Sequence, residues 1–179
     1  MPLPRPVLLA ALLALAGCGG GGGPQFPPDC SRTAILADAA DLSRYRSETT
    51  AAHDVIDQLL AGRITGITGS CARGEHNTLD ETIQVSLEIN RGPAARDRTA
   101  EFAYFIAVSR GEQILDKQDY TLQVEFPPNV DQLHLRGEKV HLVLPTPSGV
   151  TGPAYTVLTG FQLTPAELAL NRQRQNAPR

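Results

Sequence analysis

Apolar and polar residues alternate in several short stretches from residue 82 onward. The clearest is residues 82–90, where Ile83, Val85, Leu87 and Ile89 alternate with polar residues. Residues 120–126, 139–144 and 155–163 show the same period of two, and segments rich in Pro and Gly separate them. This period is typical of strands that bury one face, so each stretch is predicted to be a strand.

Two further segments are also predicted to be strands. Residues 101–109 are apolar on both faces, as in the central strand of a packed sheet. Residues 61–71 are rich in Thr, Ile and Gly and favour a strand as well. Residues 50–60 remain open between helix and strand, because their apolar residues follow a helical stripe and Gly62 would suit the end of a helix.

The C-terminal segment departs from the strand pattern. Thr164, Pro165 and Glu167 have the arrangement of a helix start, with a capping Thr, Pro at the first position and Glu at the third. The polar residues 171–179 are expected to be a disordered tail. Together the elements predict a mainly β fold, an antiparallel, immunoglobulin-like β-sandwich with a short C-terminal helix, in one domain over residues 30–170.

The N-terminus has the pattern of an export signal. One cation, Arg5, precedes ten apolar residues at 7–16. A bilayer-spanning helix needs about 20 such residues, so this run matches the apolar core of a secretory signal. The tetrad Leu15-Ala16-Gly17-Cys18 that follows resembles the lipobox of bacterial lipoproteins.

The lipobox resemblance implies a membrane-anchored product. In that family a peptidase removes the leader, here residues 1–17, and fatty acids are attached to the cysteine, here Cys18. Two or more acyl chains are enough for stable anchoring. Inner-membrane lipoproteins commonly carry Asp after the cysteine, so Gly19 implies the periplasmic leaflet of the outer membrane. Residues 18–29, with five consecutive glycines and several prolines, are predicted to be a tether.

The chain has three cysteines. If Cys18 carries lipid, Cys30 and Cys71 are left in an oxidising compartment, where a disulfide between them is the economical inference. A metal site or a reactive thiol are the alternatives. The chain lacks a Cys-x-x-Cys motif and has no His at zinc-ligand spacing from either cysteine, which disfavours a metal.

Charge and composition narrow the range of partners. The net charge is −3, and loss of Arg5 with the leader leaves 15 cations against 19 anions, or −4. Nucleic-acid binding needs a clustered basic surface, and the sequence has none. Trp is absent, which disfavours surfaces that stack sugars or bases on aromatic platforms.

The sequence has no familiar catalytic or nucleotide-binding motif. The patterns G-x-S-x-G, H-E-x-x-H, S-x-x-K and the phosphate-binding lysine loop are absent. His134 and His141, with Glu138 between them, suggest a two-His-one-carboxylate metal site, against the alternative of solvent-facing side chains on two strands. The alternation with Leu133, Leu135, Val140 and Leu142 favours the second interpretation, so we expect no cofactor, no metal and no enzymatic activity.

Four segments of the mature chain resemble a group of uncharacterised proteobacterial lipoproteins. They are Cys30-Ser-Arg-Thr-Ala-Ile-Leu36, Arg91-Gly-Pro-Ala-Ala95, Tyr104-Phe-Ile-Ala-Val108 and Gly160-Phe-Gln-Leu-Thr164. This resemblance implies a single domain and no particular activity. The sequence therefore predicts a non-enzymatic envelope lipoprotein that binds protein partners. The alternatives are a module that binds a lipid or another apolar molecule between its sheets, and a hydrolase of wall polymers.

Overall fold

The computed structural model describes residues 29–47 and 54–177. The chain forms strands and one α-helix over these residues. Their bounds are β1 Arg32–Ile35, β2 Asp41–Tyr45, β3 Gln58–Arg73, β4 Thr78–Arg91, β5 Thr99–Arg110, β6 Gln113–Glu125, β7 Gln132–Arg136, β8 Val140–Pro145, β9 Tyr155–Phe161 and α1 Pro165–Asn176.

The strands build two sheets. Sheet A has the order β1-β9-β5-β6, and sheet B has the order β2-β3-β4-β7, with β8 pairing alongside β7 on the same side of β4. All neighbours are antiparallel except β1 and β9, which are parallel. The prediction of a mainly β sandwich with a short C-terminal helix is confirmed.

The alternating residues of the sequence face inward, as predicted. Ile83, Val85, Leu87 and Ile89 on β4 are all at most 1% exposed. They belong to one cluster with inward side chains of sheet A, which include Phe102, Tyr104, Ile106, Tyr120, Val157 and Phe161. Side chains from both sheets thus fill the space in which the lipid-binding alternative places its ligand.

The strand β5 is apolar on both faces because both faces are covered. Its outer residues Phe105 and Ala107 pack with Ala39, which belongs to a 3₁₀ turn at Ala37–Ala39. Gly160 on the neighbouring strand β9 permits this approach, because a Cβ there would lie 2.7 Å from the Cβ of Ala39. The sequence pattern identified the central strand, and the 3₁₀ turn explains its second apolar face.

The helix α1 is longer than predicted. Thr164 and Glu167 form the expected capping box. The helix continues to Asn176, so the expectation of a disordered tail is wrong for residues 171–176; residues 178–179 lie outside the described residues. The reason is polar docking, because the Asn171 Nδ2 donates to the backbone oxygens of Asp38 and Asp41 at 2.9 and 2.7 Å.

The structure also settles most of the open segment at residues 50–60. Residues 48–53 lie outside the described residues, Val55–Asp57 form a 3₁₀ turn, and β3 begins at Gln58. Gly62 lies within β3, where a Cβ would be 2.9 Å from the ring of Phe161 on the facing sheet. It serves close packing of the sheets rather than the end of a helix.

Candidate functional site

The strand β6 forms an edge of sheet A. It pairs with β5 over its whole length, and no other described strand pairs with it. The backbone N–H of Lys117 donates to the Oδ1 atom of the preceding residue, Asp116, at 2.9 Å. The N–H of Phe126, just past the strand, instead donates to the backbone oxygen of Arg98, on the β5 side, at 2.7 Å. Since N–H directions alternate along a strand, the odd-numbered N–H groups from 117 to 125 point away from β5.

The side chains near this edge leave its backbone accessible. The Lys117 Nζ lies 4.9 Å from the centre of the Phe105 ring and donates to Asp119 Oδ1 and Gln162 Oε1 at 2.7 and 2.8 Å. These contacts hold the lysine on the outer face of sheet A. At the hairpin end, Ile114 is 61% exposed and Leu115 is 43% exposed. The β6 edge therefore offers backbone hydrogen-bonding groups together with apolar surface.

A small groove lies beside this edge, and we call it the tyrosine groove. It has a volume of about 280 Å³ and is lined by Tyr104, Gln118, Asp119, Tyr120, Thr121, Leu122 and Glu138. Tyr104 on β5 lies directly opposite Tyr120 on β6, and their rings stack with centroids 5.2 Å apart. The Tyr120 hydroxyl donates to Gln118 Oε1 at 2.9 Å.

The Tyr104 hydroxyl is buried, and the backbone N–H of Glu138 approaches it, although this contact does not meet full hydrogen-bond geometry. It packs against Gly137, where a Cβ would lie 2.2 Å from the hydroxyl oxygen, so glycine is required at that position. An unsatisfied buried hydroxyl costs stability unless a ligand or water supplies its partner. The Glu138 backbone N–H is the polar group that the structure places against this hydroxyl.

The electrostatic environment of the tyrosine groove is negative. Burial, and then the charge of Glu138, raise the pKa of Tyr104 to about 12, against a smaller opposing effect of the Glu138 backbone N–H. Burial also raises the pKa of Tyr120, with further contributions from Glu138 and Asp116. Burial, the larger cause of both shifts, penalises any ionised group, and the charge of Glu138 disfavours a further negative charge in the groove.

A larger polar groove of about 600 Å³ lies between the outer face of sheet B and the C-terminal end of α1. Asp41, Arg63 and Glu88 form a row across β2, β3 and β4 on its floor. The Arg63 Nε donates to Asp41 Oδ1 at 2.7 Å, which raises the pKa of Arg63, and hydrogen bonds from Asn90 and Gln132 lower the pKa of Glu88. These charged groups already satisfy one another.

The structure joins two of the three cysteines of the chain. Cys30 and Cys71 form a disulfide with Cα atoms 5.7 Å apart. Cys30 directly precedes Ser31 and β1, while Cys71 lies in β3, so the bond links sheet A to sheet B. The lipidation site Cys18 lies outside the described residues, as do the leader 1–17 and most of the tether.

The structure separates the two histidines of the suggested metal site. His134 pairs with Glu88 and His141 pairs with Thr82, which are six residues apart along β4 and hence about 20 Å apart. Among residues 29–47 and 54–177, no group of three or more metal-ligating side chains is arranged to hold an ion. The idea of a site built from both histidines is wrong. Glu138 instead lines the tyrosine groove.

No protein-family model matches the chain, and neither a curated protein nor a solved structure matches it. No helix within the described part of the chain has the length and hydropathy needed to cross a bilayer. Sequence reasoning missed the tyrosine groove, although it placed Tyr104 and Tyr120 on strands. Their pairing depends on the register between β5 and β6. The turn at Arg110-Gly111-Glu112, which joins the two strands, is the sequence feature from which this register could have been estimated.

Proposed function

We propose that the chain is a lipid-anchored lipoprotein of the bacterial cell envelope whose β-sandwich is a non-enzymatic module for protein interaction. The Leu15-Ala16-Gly17-Cys18 tetrad supports export and acylation at Cys18, because it has the residues and the position of a lipobox. The Cys30–Cys71 disulfide supports an oxidising compartment outside the cytoplasm. Gly19 favours the periplasmic leaflet of the outer membrane.

The β6 edge is the observation that carries the interaction proposal. A 13-residue edge strand with outward N–H groups is suited to pair with an extended segment of another protein. The exposed Ile114 and Leu115 add apolar surface at one end of it. Because side chains of both sheets fill the core, we place this function ahead of a lipid carrier.

The anchor is tested on the protein recovered from bacterial membranes. Intact mass is expected to show loss of residues 1–17 and gain of acyl groups on Cys18. The Cys18→Ala variant is expected to leave the membrane fraction, because it has no thiol to modify. An unmodified Cys18 thiol in the native product, or an uncleaved leader, would overturn the assignment.

The interaction is tested by blocking the β6 edge. The Thr121→Pro variant removes an N–H that points away from β5, so the β5–β6 ladder stays intact. Thr121→Ala is the matched control that keeps this N–H. In-cell crosslinking from Gln123 is expected to capture specific envelope proteins with the native chain and with Thr121→Ala, and to lose them with Thr121→Pro. Equal capture by both variants would exclude strand pairing at this edge.

A further inference from the structure

We propose that the tyrosine groove binds the ammonium group of a lysine side chain, carried by a partner segment that pairs with β6. This inference rests on the proposed function, since the lysine belongs to the added strand. The groove then provides sequence specificity, which backbone pairing alone lacks.

The position of the groove fits a side chain from an added strand. Tyr104 on β5 and Tyr120 on β6 form a row on the inner face of sheet A. In an extended sheet, the residue paired with Tyr120 on an added strand continues this row, about 5 Å from Tyr120 on the same face. Its side chain therefore enters the space between β6 and the segment that joins β7 to β8, where Glu138 lies.

The charges of the groove favour a cation. Its lining includes two acidic residues, Asp119 and Glu138, and contains neither Lys nor Arg. Lys117 neutralises Asp119, whereas Glu138 forms no ion pair with a described residue. Arg136 and Lys139 flank Glu138 in the sequence, but neither lines the groove. A net negative charge therefore remains at the groove, carried by Glu138.

The hydrogen-bonding groups of the groove suit an ammonium donor. The carboxylate of Glu138 can accept from an ammonium N–H, whereas the Tyr104 oxygen is enclosed and already faces the Glu138 backbone N–H. The ring of Tyr120 offers a further cation–π contribution, whereas the Tyr104 ring is enclosed beneath it. A volume of 280 Å³ is that of about nine water molecules, which accommodates the butyl stem and ammonium group of lysine.

The first test uses butylammonium chloride as a minimal probe, with butanol as the uncharged control. The full mature chain in detergent micelles, labelled at its tyrosine rings, is titrated with each and followed by NMR. Butylammonium is expected to shift the ring signals of Tyr104 and Tyr120, whereas butanol is not. Glu138→Gln is expected to abolish the response, and Glu125→Gln, a β6 glutamate outside the groove lining, is expected to keep it. No response of the native chain to butylammonium would overturn the proposal, and the groove would then hold ordered water only.

The second test compares two extended peptides that are identical except for a central lysine or norleucine. The lysine peptide is expected to bind the native chain at least about tenfold more tightly, which is the discrimination of one charge-assisted contact. Glu138→Gln should remove this preference, and Thr121→Pro should weaken both peptides alike. Equal binding of the two peptides would overturn the lysine assignment and leave strand pairing standing. Binding of neither peptide would overturn the proposed function itself.

Discussion

The edge strands β2 and β6 belong to different sheets and are treated differently by the fold. The helix α1 docks on β2, where the Arg174 guanidinium donates to Ser43 Oγ at 2.8 Å and to the Tyr45 hydroxyl at 2.7 Å. Asn171 adds a bond to the Asp41 oxygen. At β6, the outward N–H of Lys117 donates to the carboxylate of the adjacent Asp116, and no bond from its other outward N–H groups is seen among the described residues.

This difference indicates that β2 is protected from pairing with a further strand, whereas β6 is open to it. Exposed edges promote association, and proteins commonly cover them or shorten them. Here β2 has five residues and a helix beside it, whereas β6 has thirteen residues and no described element packed along its free side. The longer edge has the accessible backbone, so β6 is the strand that we expect to meet a partner.

The largest effect is expected from removal of the disulfide, which constrains both sheets. The double variant Cys30→Ala, Cys71→Ala opens a disulfide that spans 41 residues, and we expect the free energy of unfolding to fall by about 4 kcal/mol. The reason is that the unfolded chain regains the freedom that the crosslink removes. Urea unfolding of the variant and the native protein measures the difference.

Hydrogen exchange on this double variant sharpens the comparison of the edges. Because the disulfide joins the segment before β1 to β3, exchange is expected to quicken in both sheets. A loss below about 1 kcal/mol, or faster exchange confined to β6, would contradict this shared role.

The next largest effect on stability is expected at the β2 edge, which α1 covers. The Glu167→Ala variant removes an acceptor that is 6% exposed, which the Arg44 Nε contacts at 3.1 Å and the Thr164 N–H contacts at 2.9 Å. We expect the free energy of unfolding to fall by about 3 kcal/mol, from a lost cap and a lost charge-assisted bond. Urea unfolding provides the measurement.

The response of the two edges separates a local from a general effect. Glu167→Ala is expected to speed hydrogen exchange in β2 and to leave β6 unchanged, because α1 packs on β2. The Arg172→Ala variant is the control, since it removes an exposed ion pair with Asp38 and should cost less than about 1 kcal/mol. Equal acceleration at both edges would mean that α1 stabilises the whole sandwich rather than its β2 edge.

The sequence predicted the strands that build the core and missed the parts held by polar contacts. A period of two is visible in the part of β4 from Thr82 to Asn90, because each inward residue there is apolar and each outward residue is polar. The strand β1 has four residues, and all but one of them are exposed, so it leaves no such period. The C-terminal half of α1 docks through Asn171 and Arg174, whose partners are over 120 residues away in the chain.

The tyrosine groove could be predicted only in part, for a similar reason. The pattern places Tyr120 at the start of an alternating strand and Tyr104 in a central one. It gives no information on the segment that brings Glu138 to them, because that contact depends on how the two sheets pack. In the sequence, Glu138 stands out only for its position between two histidines. In the structure, it lies beside Tyr104 and Tyr120 instead.

The smallest expected effect is on the pH dependence of stability, and it concerns Tyr104 beside the uncovered β6 edge. The pKa of Tyr104 is about 12 in the folded protein and about 10 in an unfolded chain. Since the unfolded state loses the proton first, this tyrosine makes the free energy of unfolding fall between pH 10 and 12, by on the order of 2 kcal/mol at most. At neutral pH, Tyr104→Phe is expected to change stability little, because the hydroxyl it removes is desolvated and makes only an incomplete contact with the Glu138 N–H, two effects of opposite sign. The native chain is therefore expected to lose more stability than Tyr104→Phe as the pH rises through this window, which urea unfolding at each pH measures. Equal loss in both would show that the Tyr104 hydroxyl is hydrated rather than buried, and that the tyrosine groove is open to water at this point.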